Sequence, residues 1–324
     1  MENEENIEQK YEALKNSKFK QAKLPGWRPV SSIKKTTIIF FVFGGIFIIL
    51  GIIVLIVCNQ VEEVSVRYDD KCKKQKKEEN ETCTITFNIE EKMEKTIMIY
   101  YELRGFYQNH RRYVKSKSDD QLNGKYISLA EMKDKQDCDP VITNADMNKK
   151  RAYNDAGDLN PNDIAIPCGL IAKSFFNDNY TNWKIVKKND ELEYFSPNDT
   201  GIASEADKEI KFKNYNLSLQ WMNMEDEHFI VWMRPAALPN FRKLWGKIED
   251  RDLEKDTKIT VQIIDNFDVS SFDGEKHLIL ATTNSFGGKN LFIGISYIVL
   301  GILSAGFGIV FVLGIKIREF RKNK

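Results

Sequence analysis

The chain has 324 residues, and its 48 basic and 47 acidic side chains leave a formal net charge of +1. This balance excludes the strong positive field of a nucleic-acid-binding protein, and no nucleic acid partner is expected. Mean hydropathy is -0.43 although two stretches are intensely apolar, so the remainder must be markedly polar. The contrast predicts a polar domain anchored in a membrane rather than a bundle of many membrane helices.

Residues 36–58 form the first apolar stretch and contain no charged side chain. At about 1.5 Å per residue, a helix of this length crosses a hydrocarbon core of about 30 Å. The alternative is a cleaved signal peptide, but the stretch is long and no small-x-small cleavage pattern follows it. Residues 291–315 are equally free of charge. Both stretches are therefore predicted to span the membrane.

Basic residues flank the two stretches on the sides that lead to the chain ends. Because basic flanks stay in the cytoplasm, both termini are predicted to be cytoplasmic. The predicted division is a cytoplasmic N-terminal tail (1–35), a first transmembrane helix (36–58), a lumenal or extracellular β-rich ectodomain (59–290), a second transmembrane helix (291–315) and a cytoplasmic C-terminal tail (316–324).

Two features of the predicted ectodomain agree with this topology. Four N-glycosylation sequons fall within it, at Asn80, Asn179, Asn198 and Asn216. Four of the five cysteines also lie there, where disulfides persist, whereas Cys58 ends the first apolar stretch. Four cysteines allow three pairings. We favour pairing of neighbours, which joins Cys72 to Cys83 and Cys138 to Cys168.

Several segments of the ectodomain alternate apolar and polar residues with period two, which predicts half-buried antiparallel strands. In TCTITFNIE this places Ile85, Phe87 and Ile89 on one face, and KTIMIYYELRGFY shows the same alternation. By contrast, prolines in RPAALPNFRKLWG (234–246) argue against long regular structure there. The predicted strands lie within 61–68, 82–90, 95–107, 183–186, 228–233, 258–267 and 276–283.

Motifs of catalysis are absent from this sequence. Its three histidines, His110, His228 and His277, are far apart and form no cluster with metal-ligand spacing. No phosphate-binding loop and no GxSxG elbow occur. We therefore predict a protein without catalytic residues, metal or cofactor. Because Asp and Glu are plentiful, a hydrolase that uses a pair of catalytic carboxylates stays an open alternative.

Small residues are dense in the second apolar stretch. Gly301 with Ala305, and Ser304 with Gly308, have the small-xxx-small spacing that lets helices approach closely. We expect this helix to pack against another, either the first span or a helix of a partner.

Five segments together resemble one family, the accessory β-subunits of phospholipid flippases, also called the cell-division-cycle-fifty or ligand-effect-modulator family. They occur in the family's order and extend from the first tail to the second span. Two departures stand out: the first lumenal region has only two cysteines, and FNDN lacks the family's usual sequon. The matching segments are KLPGWRPV (23–30), YYELRGFYQNHRRYVKS (100–116), PCGLIAKSFFND (167–178), WMRPAALPNFRKLWG (232–246) and GGKNLFIGISYIVLG (287–301).

The resemblance implies a non-catalytic subunit that binds a type IV P-type ATPase. Such subunits support the folding, endoplasmic-reticulum exit and transport cycle of the ATPase, which moves aminophospholipids between leaflets. It also implies a glycosylated, disulfide-bonded antiparallel β ectodomain in which Cys168 pairs with Cys138. The endoplasmic reticulum, Golgi, endosomes or plasma membrane are the compartments implied.

Partner contacts are expected at basic and aromatic residues of the matching segments. A membrane-anchored receptor or adhesion module is the alternative function, and an ectoenzyme is a third. The predicted contact residues are Trp27, Arg28, Arg111, Arg112, Arg242 and Trp245.

Overall fold

The computed structural model describes residues 2–21, 23, 32–75, 82–187, 191–284 and 287–323. The chain divides into two compact units. The helical unit comprises residues 1–55 and 292–324, and the sheet unit comprises residues 56–291.

The helices and strands follow one another in this order. The helices are α1 (Glu2–Asn16), α2 (Ile33–Asn59), α3 (Asp69–Gln75), α4 (Arg111–Lys115), α5 (Asp119–Leu122), α6 (Leu129–Lys135), α7 (Asn144–Met147), α8 (Leu170–Lys173), α9 (Glu205–Ile210), α10 (Glu227–Met233) and α11 (Leu291–Lys322). The strands are β1 (Glu63–Arg67), β2 (Thr82–Asn88), β3 (Ile97–Arg104), β4 (Asn179–Val186), β5 (Leu192–Tyr194), β6 (Phe241–Ile248), β7 (Lys258–Ile264) and β8 (Glu275–Thr282).

Helices α2 and α11 are long and apolar enough to cross a membrane, which fits an integral membrane protein. In the helical unit they pack antiparallel, with Gly44 opposite Gly301 and Gly51 opposite Gly294. A Cβ atom built on Gly301 would lie 2.8 Å from the carbonyl oxygen of Gly44. Ser304 adds a hydrogen bond of 2.8 Å to the carbonyl of Phe40. The small residues of α11 thus pack against α2, one of the two expected partners.

Two four-stranded antiparallel sheets form the sheet unit. The strand order is β1-β8-β3-β6 in the first sheet and β2-β7-β4-β5 in the second. The buried faces of both sheets belong to one hydrophobic core. The predicted period-two pattern is confirmed on β2, where Ile85 and Phe87 are buried and their neighbours are exposed. The predicted fold class, two apolar helices with a disulfide-bonded antiparallel β domain between them in sequence, is confirmed.

The segment 228–233 was expected to be a strand, and this prediction is wrong. Its residues form α10, because the carboxylate of Asp226 accepts a hydrogen bond from the backbone N–H of Phe229 and caps the helix. Pro235, which lacks a backbone N–H, follows the helix directly. Tertiary packing therefore overrides the β propensity of these aromatic and branched residues.

The prolines of segment 234–246 do not prevent regular structure, since β6 begins after Pro239. Lys243 is a buried residue of this strand, and its ammonium donates hydrogen bonds to the carbonyls of Val231, Trp232 and Arg234 at the end of α10. Burial, together with the charge of Arg234, lowers the pKa of Lys243 to about 7. Strand β6 and α10 are thus joined by the hydrogen bonds of one buried lysine.

Candidate partner-binding cleft

An open cleft of about 1010 Å³ lies in the sheet unit, between α4, the turn around Cys138 and α8. Its apolar lining comes from Phe106, Tyr113, Pro140 and Leu170. Tyr107 stands at its edge with 63% of its surface exposed. A large, mostly apolar cleft of this kind is typical of a binding site.

Positive charge lines the mouth of the cleft. His110, Arg112 and Lys115 line it, and Arg111 precedes Arg112 on α4. Within the described part of the chain, Arg111, Arg112 and Lys115 form no ion pair. A fourth cation, Lys173, donates a hydrogen bond of 2.6 Å to the carbonyl of Asp146. Asp137 and Asp139 also line the cleft and offset part of this positive charge, while Arg112 and Lys115 keep cationic groups available to an acidic partner.

A disulfide bond holds one wall of the cleft. Cys138 is bonded to Cys168 with their Cα atoms 5.7 Å apart. The hydroxyl of Ser116, at the end of α4, donates to the carbonyl of Cys138 and accepts from the N–H of Leu170. Gly169 packs so closely that a Cβ atom there would lie 2.2 Å from the carbonyl oxygen of Ser116. Ser116 therefore connects the end of α4 to both the turn around Cys138 and the start of α8.

Indole and amide side chains from elsewhere in the fold brace the same wall. The indole N–H of Trp232 donates to the carbonyl of Ile171 at 2.8 Å, and Trp221 donates to the carbonyl of Pro167 at 2.7 Å. The buried side chain of Gln121 accepts from the backbone N–H of Cys168. These contacts fix α8 against the core, so the cleft is preformed.

The second disulfide joins Cys72 of α3 to Cys83 of β2, with Cα atoms 5.1 Å apart. Both bonds are the neighbour pairs favoured from the sequence. Cys58 is a free, buried thiol that donates to the carbonyl of Asn290 at 3.4 Å.

The structure brings only part of the predicted contact set to the cleft. Arg112 lines the cleft and Arg111 is its neighbour on α4, whereas Arg242 pairs with Glu63 at 2.8 Å on the sheet. Trp245 packs against the ring of Tyr180, with centroids 5.1 Å apart. Arg242 and Trp245 therefore hold the fold together locally. Trp27 and Arg28 lie outside the described residues, and their role stays a prediction.

Sequence reasoning did not assign Lys115, Asp137, Asp139 or Leu170 to the cleft. The two aspartates flank Cys138, and Leu170 follows Cys168 by two positions. The predicted Cys138–Cys168 bond was the sequence signal that could have placed the two aspartates close to Leu170.

Three of the four predicted glycosylation sites, Asn179, Asn198 and Asn216, have exposed side chains. Asn80 lies outside the described residues. Occupancy of these sites stays a prediction. Among the described residues, no group of histidine, cysteine and carboxylate side chains could hold a metal ion.

The two apolar helices and the disulfide-bonded antiparallel domain define a membrane-anchored β protein whose sheet unit carries an open, mostly apolar cleft. The profile of the LEM3 (ligand-effect modulator 3) family / CDC50 family matches residues 54–321. The chain belongs to this family.

Curated proteins are similar to this chain over nearly its whole length, in agreement with the family match. Cell cycle control protein 50A of Mus musculus is 35% identical over 92% of this chain and 88% of its own length. ALA-interacting subunit 3 of Arabidopsis thaliana is 37% identical over 92% of this chain and 86% of its own length. Cell cycle control protein 50C of Mus musculus is 31% identical over 91% and 92%.

Proposed function

We propose that this chain is the non-catalytic accessory subunit of a type IV P-type ATPase that translocates phospholipids. It supports the folding, endoplasmic-reticulum exit and transport cycle of that ATPase. Membership of the CDC50 family over residues 54–321 carries the proposal, because relatives in this family are flippase accessory subunits. The ATPase supplies the chemistry and the lipid path, and this chain supplies binding surface.

In this proposal both termini are cytoplasmic, and the sheet unit is lumenal or extracellular. The basic flanks of the apolar stretches support this orientation. The two disulfides support it too, since such bonds persist in oxidising compartments.

The cleft mouth is the proposed contact for an acidic, apolar loop of the ATPase on the same side of the membrane. Arg112 and Lys115 of the cleft lining, with Arg111 beside them on α4, match carboxylates of such a loop and outnumber the lining aspartates Asp137 and Asp139. The apolar lining accepts an aromatic or aliphatic side chain of the same loop. Charge steers the encounter, and burial of the inserted side chain lowers the free energy of the complex.

Within the membrane, α11 offers a face to the ATPase that α2 does not use. Gly306 and Gly314 of α11, and Gly45 of α2, have no neighbouring atom within 4 Å of a built Cβ. Helices of a partner can approach such positions closely.

Copurification tests the proposal. The full-length chain is purified from its native membrane in mild detergent, and copurifying proteins are identified by mass spectrometry. We expect a type IV P-type ATPase in near-equal amount. Failure to recover any P-type ATPase, under conditions that preserve other membrane complexes, would contradict the proposed function.

Charge reversal tests the cleft itself. We expect the double variant Arg111→Glu/Arg112→Glu to reduce ATPase recovery at least tenfold. Lys150→Glu is the matched control, because Lys150 is an exposed lysine that does not line the cleft. Equal recovery with both variants would remove the cleft from the interface without affecting the assigned role.

A further inference from the structure

A patch of exposed apolar side chains surrounds Asn216 in the sheet unit. Tyr215, Leu217 and Leu219 are 44%, 43% and 46% exposed, and Tyr126 is 52% exposed. The ring centroids of Tyr126 and Tyr215 lie 5.5 Å apart, so the two rings form one platform. We call these four residues the apolar patch. Apolar groups clustered on a surface mark a place that another group covers.

A small cavity of about 210 Å³ shares Tyr126 and Leu219 with the apolar patch. Asn144 lines this cavity and is only 2% exposed. Its Nδ2 donates to the carbonyl of Asn160 at 2.9 Å, but its Oδ1 has no hydrogen-bond partner among the described residues. A buried acceptor without a donor is costly, so a group that enters the cavity and donates a hydrogen bond to Oδ1 would be stabilised there.

Asn216 is the first residue of the sequon Asn216-Leu-Ser218, its side chain is exposed, and it stands in the chain between the patch residues Tyr215 and Leu217. The backbone N–H of Ser218 donates to its Oδ1 at 3.0 Å, which holds the side chain in a tight local turn. Tyr215 and Leu219 stand on either side of this turn in the chain. A group attached to Asn216 therefore starts beside the platform and the cavity.

We propose that Asn216 carries an N-linked glycan whose first sugar binds the chain's own apolar patch and cavity. One face of an N-acetylglucosamine ring presents C–H groups, which suit the Tyr126–Tyr215 platform. Its hydroxyl and acetamide groups are donors, which suit the unpaired Oδ1 of Asn144. At about 210 Å³ the cavity is smaller than the roughly 300–1,000 Å³ of common small-molecule pockets, so a compact occupant such as one sugar fits it.

Attachment follows the chemistry of N-glycosylation. The bond between the anomeric carbon of a lipid-linked oligosaccharide and its diphosphate breaks, and that carbon bonds to Nδ2 of Asn216. The amide loses one proton to a base, and the lipid diphosphate leaves. The inference rests on the lumenal orientation of the sheet unit given under the proposed function.

Two matched variants test the inference in the full-length chain, expressed in a glycosylating host and purified in detergent. Ser218→Ala destroys the Asn216 sequon and keeps the asparagine. Thr200→Ala does the same for Asn198, whose side chain instead donates to Glu249 at 2.9 Å in a polar setting. Ser218→Thr keeps the sequon and serves as the positive control. The readouts are glycopeptide mass spectrometry, the thermal midpoint and hydrogen exchange of the backbone around Tyr126.

Only loss of the Asn216 glycan is expected to change the thermal midpoint and the hydrogen exchange around Tyr126. Ser218→Ala should lower the thermal midpoint by roughly 2–4 °C, the shift that loss of a modest contact causes in a domain of this size. It should also speed exchange around Tyr126, whereas Thr200→Ala and Ser218→Thr should change neither. Trimming with endoglycosidase H, which leaves one sugar, should keep the protection, and complete removal with peptide N-glycosidase should abolish it.

The contradicting outcomes separate the inference from the proposed function. If Asn198 is glycosylated and Asn216 is not, the inference fails while the lumenal orientation stands. If Asn80, Asn179, Asn198 and Asn216 are all unmodified in an efficient host, the orientation fails as well. If the Asn216 glycan is present but Ser218→Ala changes neither readout, the sugar does not cover the patch. Protection of the patch in Ser218→Ala only after the ATPase binds would assign it to the partner instead.

Discussion

The ammonium group of Lys276 lies 2.6 Å from a carboxylate oxygen of Asp178, and both side chains are buried. Lys276 belongs to β8 of the first sheet, and Asp178 precedes β4 of the second, so the ion pair links the two sheets. The carboxylate of Asp178 also accepts hydrogen bonds from the hydroxyl of Tyr68 and from the backbone N–H groups of Asn266 and Phe267. Burial of these charges is tolerated because each one has several partners.

Lys276→Met should destabilise the sheet unit strongly. The substitution leaves Asp178 buried without its cation, which costs on the order of 3–5 kcal/mol in the free energy of unfolding. Lys255→Met is the matched control, since Lys255 forms a similarly short ion pair with Glu91, at 2.8 Å, on the surface. Exposed pairs contribute roughly 0–1 kcal/mol. Thermal unfolding of both variants measures the difference, and equal midpoints would contradict the structural role of Lys276.

Cys168→Ser should weaken both the fold and partner binding. Loss of the Cys138–Cys168 bond typically costs about 2–4 kcal/mol and here loosens the cleft wall that carries Leu170. We expect the variant to be retained in the endoplasmic reticulum with less ATPase bound, as measured by glycan maturation and copurification. Cys72→Ser, which breaks a bond away from the cleft lining, should destabilise the chain with a smaller loss of partner per folded molecule. Normal export and binding of Cys168→Ser would refute the role of this bond.

Gly301→Val should separate α2 from α11. The new Cβ would lie 2.6 Å from a side-chain carbon of Ile48 and 2.8 Å from the carbonyl oxygen of Gly44, and such overpacking costs about 1–3 kcal/mol. Gly306→Val is the matched control, because a Cβ there meets no atom within 4 Å. The thermal midpoint of the chain in detergent should fall for Gly301→Val alone. If Gly306→Val lowers ATPase recovery without lowering that midpoint, the outer face of α11 contacts the partner.

Glu227 makes the stability of the sheet unit depend on acidity. Burial raises the pKa of Glu227, but hydrogen bonds from the N–H groups of Ala203 and Gly201 and the ammonium of Lys208 outweigh this effect and lower it to about 2. Since the ordinary pKa is 4.5, the stabilisation is complete above pH 4.5 and is lost as the pH falls toward 2. Glu227→Gln should therefore lower the thermal midpoint at pH 7, and the gap to the unmodified chain should narrow at pH 3. An equal gap at both values would show that the charge of Glu227 is not responsible.

Period-two patterns predicted β2 and β3 well, because one face of each strand lies against the core and the alternation appears directly in the sequence. Strand reasoning failed for α10, and the prolines before β6 led to the wrong expectation that this segment lacks long regular structure. Branched and aromatic residues favour strands, yet the cap from Asp226 and the spacing of Phe229, Ile230 and Trp232 suit a helix. The end of α10 is then stabilised by Lys243, a contact between segments that local propensity does not reveal.

The candidate site was only partly predictable. Arg111 and Arg112 were named from the sequence as candidate contacts, and the structure places Arg112 and Lys115 in the cleft lining with Arg111 next to Arg112, while contact with a partner stays a prediction. Arg242 and Trp245 have the same residue types, but an ion pair and ring packing occupy them. Residue type shows what a side chain can bind, and only its neighbours show whether it is already engaged.

The sequence by itself determined the membrane-anchored architecture, because uninterrupted apolar stretches, basic flanks and period-two alternation are local patterns with direct physical consequences. The sequence left three pairings of the four ectodomain cysteines open, and the structure has the two neighbour pairs that were favoured. The tertiary structure decided the inter-sheet ion pair of Lys276, the cleft beside the Cys138–Cys168 bond and the platform beside Asn216. These features join residues far apart in the chain, and their energies depend on burial and distance, which exist only once the chain has folded.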